Sequence, residues 1–339
     1  MPGALQDVAD RAGVSKSTAS RVLNNVDVKI TQATRLRVRA AAAEVGYQPN
    51  RAARALSRSG MQVLGLWTLN LRSAYSSRII IAMSEVAISH EVDLMVGKLS
   101  VDRNGLIDTL KITACPVDGI LMFNTPGSAI RGLDCSLLAG VPVTSMGGTV
   151  IEAADHVRID FQTEILEAVR RLRDAGCARI AYLLPLPVTL SGYSGDTRLC
   201  AYEAAMCDIG MPAEVIVTCD DSRDAVIPSL RQYIASNGHP DGLLCFDDNM
   251  AIGACRALKD LGLRIPHDVV LIGCDGSGDA VFLDPPFSTI ELPVEEMCAT
   301  ACKFLRARIA NPSLPMQRAT LLPRLSVKGL SVRPGLMSA

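Results

Sequence analysis

The residues with the most specific chemistry lie between Leu5 and Asn24, in the segment LQDVADRAGVSKSTASRVLN. Its apolar spacing predicts two short helices around a tight turn, with Gly13 ending the first helix and Ser15 capping the second. A second helix of this kind can present its N-terminal end and outer side to the major groove of DNA. The polar side chains in that position are Lys16, Ser17, Ser20 and Arg21.

The formal net charge of −1 conceals an uneven distribution along the chain. Residues 1–60 contain ten basic and four acidic residues, a net charge of +6, whereas the remainder contains 24 basic and 31 acidic residues, a net charge of −7. Each Lys or Arg that meets a phosphate releases condensed counterions, so a cationic segment on an anionic body suits polyanion binding. The alternative is a generic three-helix bundle whose charged face is only solvated.

A third helix is predicted from about Thr31 to Val45, with Gly46 as its stop. The packing residues expected on this helix are Leu36, Ala40, Ala43 and Val45. Residues 46–57, GYQPNRAARALS, then join an extended link to a short, basic, helix-prone segment. Such a segment is too short to be stable alone, so it is suited to fold when it docks on DNA and on its twin in a dimer. The alternative is a passive linker.

From residue 61 onward, short apolar runs alternate with segments of helical spacing. The first series of strand-like runs occupies 63–69, 92–99, 117–123 and 141–147, with predicted helices near 77–90, 103–113 and 128–139. The second series occupies 178–185, 213–218, 241–246 and 269–275, with predicted helices near 162–175, 196–208, 223–237 and 248–261. This alternation predicts two α/β lobes, each a doubly wound parallel sheet. Ligands of such sheets bind beyond the carboxyl ends of the strands, which favours a site in the cleft between the lobes.

Three segments carry a resemblance to a known family: DVADRAGVSKSTASRVLN, GYQPNRAARAL and the block at 242–290 that begins GLLCFDDNMAIGACRAL. In this order, and over nearly the full length, the chain resembles the lactose-repressor/galactose-repressor (LacI/GalR) family of bacterial transcriptional regulators. The resemblance implies an all-α helix-turn-helix DNA-binding domain at 1–48, a hinge helix and linker at 49–60, and a periplasmic-binding-protein-like α/β body at 61–339. Within the body it implies an N-lobe of about 61–160 and 291–320 and a C-lobe of about 161–290 and 321–339.

In the first sixty residues the resemblance implies particular contacts with DNA. Arg21 is expected to face a guanine, whose O6 and N7 accept a bidentate fork. Leu56 is expected to wedge with its dimer mate into the minor groove at the centre of the operator and to kink the duplex. Ala19 stands where the family usually carries Val, a change in packing and not in base readout. The expected DNA-binding residues are Ser15, Lys16, Ser17, Thr18, Arg21, Asn50, Arg51, Arg54 and Leu56.

In the body the resemblance implies an effector site, with Arg198 matching the family's effector-binding arginine and Asp248 and Asp275 following two strands at the mouth of the cleft. A planar fork of donors beside carboxylates suits a polyol. The alternatives are local: a helix cap for Asp248, a brace of a glycine-rich turn for Asp275, and a solvated helix position for Arg198. The expected effector-binding residues are Asn70, Ser73, Tyr75, Asp160, Arg198, Phe246, Asp248 and Asp275.

Some residues of the body depart from the family's pattern. The segment MGGTV at 146–150 lacks the carboxylate or aromatic residue that relatives often carry, and Phe161 and Glu164 replace the usual Asn and Gly after Asp160. The effector therefore does not follow from any familiar relative. A sugar or sugar derivative is the leading class, and a nucleobase or an acidic metabolite is the alternative.

An enzyme and a free-standing sugar-binding protein are the rival functions. Asp220-Asp221 and Asp247-Asp248 are paired carboxylates, but adjacent residues seldom face each other across a substrate. The sequence contains no nucleophile elbow, phosphate-binding loop or metal-spaced His cluster, so we expect no catalytic residue, metal or cofactor. A sugar-binding protein of the periplasm would need a secretory signal, which MPGALQDVADRAGVS does not resemble, and would have no use for residues 1–57.

The sequence therefore predicts a homodimeric repressor that binds an inverted-repeat operator and changes its affinity for DNA with a small effector. The apolar runs are shorter than a membrane span, and the eleven cysteines are dispersed, so we expect a cytoplasmic protein with reduced cysteines and no membrane partner. The C-terminal KGLSVRPGLMSA has no heptad pattern, which favours a dimer over a tetramer.

Overall fold

A computed structural model of the chain describes residues 4–23, 30–47, 62–71, 73–100, 107–108, 112, 115–123, 125, 140–186 and 197–328. The chain divides into two compact units, Met1–Gln62 and Val63–Ala339. The helices expected at 103–113 and 128–139 and the basic segment at 46–57 lie wholly or largely outside the described residues.

The described part of the first unit contains three helices, α1 (Leu5–Ala12), α2 (Lys16–Leu23) and α3 (Gln32–Glu44). Gly13 ends α1 with φ at 65°, a left-handed conformation that glycine adopts without a Cβ penalty. Ser15 precedes α2, and its Oγ accepts a hydrogen bond from the amide of Thr18 at 3.1 Å. Thr31 caps α3 by accepting from the amide of Thr34 at 3.3 Å. The expected helical headpiece is confirmed.

The expected packing face of the third helix is wrong. Three of its four expected packing residues are exposed: Leu36 (61 %), Ala40 and Ala43. The buried residues of α3 are Val38, Ala41 and Ala42. Because residues three and four apart share a helix face, these three form one stripe and the expected set lies on the neighbouring one. Small side chains in the buried stripe allow close contact with Val8 of α1 and Val22 of α2, which belong to the same core cluster.

Among the described residues, the second unit contains two six-stranded sheets. The first sheet forms what we call the N-lobe and consists of β1 (Val63–Thr68), β2 (Asp93–Lys98), β3 (Gly119–Phe123), β4 (Val143–Gly147), β5 (Asp155–Ile159) and β11 (Arg318–Leu321). Its order is β11-β5-β4-β3-β1-β2, and all neighbouring strands are parallel.

The second sheet forms the C-lobe. Its strands are β6 (Ile180–Pro185), β7 (Glu214–Thr218), β8 (Gly242–Cys245), β9 (Val270–Asp275), β10 (Ser288–Glu291) and β12 (Arg324–Ser326). The order is β12-β10-β9-β8-β6-β7, and the strands are parallel except for the antiparallel pair of β10 and β12. Every residue of β6 and β9 is buried, because helices cover both faces of a parallel sheet.

The helices of the body are α4 (Ala74–Ser89), α5 (Gln162–Asp174), α6 (Thr197–Asp208), α7 (Arg223–Asn237), α8 (Asp248–Asp260) and α9 (Val294–Ala310). A short 3-10 helix, Gly278–Phe282, follows β9. The chain passes from the N-lobe to the C-lobe after β5, returns through α9 after β10, and crosses again between β11 and β12. The prediction of two doubly wound lobes is thus confirmed, and these crossings bring the loops of both lobes together at a shared cleft.

Candidate functional site

The exposed surface of α2 carries the side chains expected to meet DNA. Lys16, Ser17 and Arg21 are exposed, whereas Ala19 and Val22 on the opposite side are fully buried. The hydroxyl of Ser15 lies 2.9 Å from that of Ser17 and 2.8 Å from that of Thr18. The beginning of α2 therefore presents hydroxyl groups and a cation at the N-terminus of a helix, an arrangement suited to phosphate and base edges. The other expected DNA contacts, Asn50, Arg51, Arg54 and Leu56, lie outside the described residues.

Arg198 is the central side chain of the cleft. Its Cζ atom lies 3.6 Å from the ring centroid of Phe246 and 5.2 Å from that of Phe161. Its Nη1 atom donates to the carbonyl of Phe246 at 3.0 Å and lies 4.0 Å from Oδ1 of Asp275. Only 13 % of the side chain is exposed, so Arg198 is not the solvated helix residue of the alternative interpretation. A guanidinium held against aromatic faces has a fixed orientation.

Asp275 ends β9 and has φ at 111°, a conformation that non-glycine residues rarely adopt. Burial raises the pKa of its carboxyl well above the ordinary value; the Asp247 carboxylate adds to this rise, and Arg198 opposes it. Arg78 of the N-lobe donates to the backbone carbonyls of Asp275 at 2.7 Å and of Gly276 at 2.8 Å. The carboxyl of Asp275 thus lies in the cleft near Arg198, on a backbone turn that the other lobe contacts.

The two adjacent aspartates of the C-lobe have different roles. Asp247 caps α8, with Oδ1 accepting from the amide of Met250 at 2.7 Å, and α8 begins at Asp248. Asp248 is 1 % exposed and accepts from the amide of Ser277 and the hydroxyl of Thr289, both at 2.6 Å. The expectation that Asp248 contacts an effector therefore competes with a bracing role that the geometry favours, and the capping alternative belongs to Asp247.

Asp247 is a residue that sequence reasoning considered only as half of a carboxylate pair. Burial raises its pKa to about 7; the Met250 amide opposes this rise, and Asp221 adds to it. Burial also raises the pKa of Asp248 to about 6, against the hydrogen bonds from Thr289 and Ser277. The signal available in the sequence was an Asp directly after a buried strand and before a helix, the position of an N-cap at the carboxyl edge of the sheet.

The expected N-lobe residues divide between the cleft and the interior. Asn70 donates from Nδ2 to Oδ2 of Asp221 at 2.8 Å, a hydrogen bond that joins the two lobes. Ser73 caps α4 by accepting from the amide of Ser76 at 3.1 Å. Tyr75 is only 5 % exposed and lies in the core, so its ring has no open face for stacking on a ligand. Ser73 thus caps α4 and Tyr75 packs in the core, because α4 begins at Ala74, three residues before the predicted start near 77; contact of either residue with an effector stays a prediction.

Asp160 and Phe246 have partners of their own. Oδ1 of Asp160 accepts from the amide of Gln162 at 3.0 Å, where α5 begins. The Arg198 guanidinium covers one face of the Phe246 ring, so the ring supports Arg198, and stacking on an effector stays a prediction.

Two departures from the family pattern turn out to be one structural feature. A Cβ atom added at Gly148 would lie 2.9 Å from Cε2 of Phe161 and 3.7 Å from Oγ1 of Thr197. Phe161 is 1 % exposed and lies beside Arg198. The space next to Gly148 is therefore filled by the Phe161 ring, which also supports the guanidinium. Sequence reasoning noted both departures but could not show that they touch.

Two family models match the chain: bacterial regulatory proteins of the lacI family at residues 4–50, and a periplasmic binding protein-like domain at residues 169–330. The chain is also 30 % identical to the HTH-type transcriptional repressor PurR of Klebsiella pneumoniae (strain 342), over 98 % of this chain and 97 % of that protein. The chain belongs to the LacI family. The expected resemblance is confirmed, and with it the function of a DNA-binding transcriptional regulator.

Other similarities agree with this family. The chain is 29 % identical to the HTH-type transcriptional regulator GntR of Escherichia coli (strain K12), over 98 % of this chain and 97 % of that protein. The fold is similar to that of the lac repressor dimer bound to operator and the anti-inducer ONPF, with a TM-score of 0.80 at 24 % identity, covering 98 % of this chain and 100 % of that one. It is similar to the regulator CelR in complex with cellobiose, with a TM-score of 0.67 at 25 % identity, covering 97 % and 100 %.

Within the described ranges, no helix is both long and apolar enough to cross a bilayer. The same residues contain no group of three or more His, Cys, Asp or Glu side chains arranged to hold a metal ion.

Proposed function

We propose that this LacI-family regulator is a repressor that binds an inverted-repeat operator as a homodimer. Its affinity for the operator falls or rises when a small effector binds in the cleft between its lobes. The main support for an effector site is the geometry of Arg198. Its guanidinium is nearly buried, stacks on Phe246 and lies 4.0 Å from the Asp275 carboxyl. An exposed, freely moving arginine would lose entropy on meeting a ligand, whereas this one is already oriented.

Exposed apolar side chains on two elements of the body support the homodimer. On α4, Ile81 and Ile88 are 60 % and 75 % exposed, and in the 3-10 helix Val281 and Phe282 are 45 % and 86 % exposed. Large apolar side chains that cluster at the surface mark sites of protein association. Two such patches suit a twofold interface, which would also present two headpieces to a palindromic site.

The charge of the cleft favours an uncharged, hydroxyl-rich effector, and hence a sugar or sugar derivative. Burial raises the pKa of the Asp247 and Asp275 carboxyls beside Arg198, which shows that this part of the cleft disfavours added negative charge. An acidic metabolite would add negative charge to a group of buried acids, which costs free energy. Hydroxyl groups can instead exchange hydrogen bonds with the carboxyls, in either protonation state, and accept from the guanidinium. A nucleobase remains the second candidate, because its ring nitrogens offer the same donors and acceptors.

The chemistry of this proposal needs no cofactor and no metal. Its partners are operator DNA, a second copy of the chain and the effector, and since a repressor acts on the chromosome its place of action is the bacterial cytoplasm.

The experiment that tests the proposal has two stages. The purified protein is first heated with a panel of neutral sugars, sugar acids, sugar phosphates and purines, because a ligand that binds only the native state raises the unfolding midpoint by mass action. Any compound that stabilises the protein is then added to the protein on labelled operator DNA, with fluorescence anisotropy as the readout. A neutral sugar is expected to stabilise the protein and to change operator affinity.

Arg198→Ala is the matched variant. It is expected to bind the operator like the wild type and to lose both the stabilisation and the change in DNA affinity. A variant that responds to the ligand as the wild type does would show that the effector site has been placed wrongly. A purine as the stabilising compound would select the second candidate class.

A further inference from the structure

Arg78 is a residue of α4, in the N-lobe, whose guanidinium contacts the backbone of the C-lobe. Its Nη1 atom donates both of its protons, one to the carbonyl of Asp275 at 2.7 Å and one to that of Gly276 at 2.8 Å. Its Nη2 atom lies 3.9 Å from Oε1 of Glu295, at the beginning of α9. With 29 % of its side chain exposed, Arg78 is mostly enclosed.

The turn that Arg78 contacts has an unusual backbone. Asp275 ends β9 and Gly276 follows it, with φ at 111° and 69°, two consecutive positive values. Successive carbonyls of an extended strand point to opposite sides, whereas here both accept from one nitrogen. Glycine tolerates this conformation, but an aspartate with a Cβ does not adopt it without strain. A Cβ at Gly276 would lie 2.9 Å from the Cα of Glu291, so the turn is also pressed against β10.

The C-lobe also contacts the turn, mainly at its amides. The amide of Gly276 donates to Oγ1 of Thr289 at 3.2 Å, and the amide of Ser277 donates to the Asp248 carboxylate at 2.6 Å. The carbonyl of Asp275 accepts a longer bond from the amide of Leu292 at 3.5 Å. The short, charge-assisted bonds to the carbonyls are those from Arg78, and bonds of this kind are about twice as strong as neutral ones.

We propose that Arg78 is a positioning residue of the effector site: from the N-lobe it holds the strained Asp275–Gly276 turn in the conformation that directs the Asp275 carboxyl into the cleft beside Arg198. This inference rests on the proposed effector role of the cleft. Strained residues persist only where their surroundings fix them, and they occur often at ligand clamps. The shape of the C-lobe half of the site therefore depends on the position of the N-lobe.

Through this contact, a change in the position of the lobes would change the affinity of the cleft for a ligand. If the lobes rotate apart, Arg78 leaves the two carbonyls, and the Asp275 turn is free to relax to an ordinary φ. The effector then meets a carboxyl that is aimed differently, so it binds the two lobe arrangements with different affinity. Such a difference in affinity is what any ligand needs in order to shift a conformational equilibrium.

The test compares four full-length proteins by hydrogen–deuterium exchange without ligand: the wild type, Arg78→Met, Arg78→Lys and Arg170→Met. Methionine keeps the aliphatic length and removes every donor, and lysine restores one charged donor. Arg170 pairs with Asp208 at 2.9 Å on the exposed surface of the C-lobe, so its variant controls for loss of a surface ion pair. The amides of Gly276 and Ser277 report on the turn because both are hydrogen-bonded in the native structure.

We expect exchange in the peptide that spans residues 275–278 to be about tenfold faster in Arg78→Met, since a bond from a charged group contributes of the order of one such factor. We expect Arg78→Lys to lie between Arg78→Met and the wild type, and Arg170→Met to match the wild type. Exchange in β1 and β6 should not change. Wild-type exchange at 275–278 in Arg78→Met, or a rise spread evenly over the body, would show that Arg78 only adds to general stability.

Ligand affinity supplies the second readout and keeps the two proposals apart. For the compound that stabilises the wild type, we expect Arg78→Met to bind about tenfold more weakly, with partial recovery in Arg78→Lys. If Arg198→Ala abolishes the response while Arg78→Met binds the compound as the wild type does, the inference about Arg78 is wrong and the effector site stands. If Arg198→Ala responds normally, the effector site itself has been misplaced.

Discussion

The buried ion pair between Asp155 and Arg308 gives the sharpest prediction about stability. Asp155 opens β5, and its side chain is 1 % exposed. It accepts from Nε of Arg308 at 2.9 Å and from Nη2 at 2.7 Å, and also from the amide of Gln317 at 2.7 Å and its side chain at 3.1 Å. Burial alone would raise the pKa of this carboxyl, but the hydrogen bonds from Arg308 and Gln317 outweigh burial, and the pKa is lowered.

Asp155→Ala would remove all four of these bonds and leave the Arg308 charge, 18 % exposed, without its carboxylate. Arg308 would keep its bonds to the carbonyls of Pro312, Leu314 and Pro315, which do not neutralise it. Loss of one partner of a buried pair typically costs about 3–5 kcal/mol, because the other charge stays desolvated. We expect a loss of that size in the free energy of unfolding of the N-lobe.

Urea denaturation followed by tryptophan fluorescence measures this loss, since the single Trp of the chain, Trp67, is buried in β1 of the same sheet. The matched control is Asp208→Ala, which breaks the exposed pair with Arg170 and is expected to cost at most about 1 kcal/mol. Equal midpoints for the two variants would refute the argument that burial makes the Asp155 pair different. Because the pKa of Asp155 is lowered, its contribution is present above the carboxyl's ordinary range and is lost as the pH falls below about 4.

Three further predictions concern the headpiece and the cleft. Arg21→Ala is expected to weaken operator binding by about 1–3 kcal/mol and to relax preference at one base pair, which anisotropy on operators with single changes would measure. Burial raises the pKa of Asp247 to about 7, so between about pH 4 and 7 the native state holds a proton that the unfolded chain lacks. In that range we expect the free energy of unfolding to fall by up to about 1.4 kcal/mol for each unit by which the pH rises. Asp247→Asn keeps an acceptor for the Met250 amide and should flatten that slope in urea titrations; an unchanged slope would contradict a protonated Asp247. Gly148→Ala is expected to cost about 1–3 kcal/mol against the Phe161 ring and much less in a Phe161→Leu background, which a double-mutant cycle would test.

The strands and helices that were predicted correctly are those with a clear apolar pattern or a helix cap in the sequence. Strands buried on both faces appear as continuous apolar runs, and β6, β8 and β9 lie within the predicted segments for that reason. Helix α7 matches its predicted range of 223–237, since Ser222 provides an N-cap and Gly238 ends the periodic segment. Caps and apolar runs are local signals, so a single sequence carries them.

Four strands were not predicted, and each lacks such a trace. They are β5, β10, β11 and β12, with sequences DHVRI, STIE, RATL and RLS. A segment of three to five residues that includes charges has a residue pattern that cannot be distinguished from that of a loop. The pairing of these strands also depends on chain crossings between distant segments. The packing face of α3 was missed for a related reason: its alanines occur on several sides, and only contact with α1 and α2 determines which side is buried.

The candidate site shows the same division. Arg198 and Asp275 were both expected at the cleft from the sequence, and Nη1 of Arg198 lies 4.0 Å from Oδ1 of Asp275. Their binding of an effector stays a prediction. The alternative interpretation placed the helix cap at Asp248, which would start the helix at Asn249. The helix α8 starts at Asp248, so the cap is Asp247, and a difference of one residue lies within the error of any boundary predicted from sequence. The contact of Phe161 with Gly148 joins β4 to the beginning of α5, and no local pattern connects them.

The cross-lobe contacts decide what kind of response the cleft can give. Asn70 bonds Asp221, and Arg78 bonds the Asp275–Gly276 turn, so the described N-lobe touches the C-lobe at two of the loops that line the site. A ligand that hydrogen-bonds to Arg198 and to the carboxyls of Asp247 and Asp275 would supply polar contacts to groups that burial removes from water. The full set of these contacts is available only where both lobes close around the ligand. Under the proposed effector role, the free energy of binding would be coupled to lobe position, which is the requirement for an allosteric response.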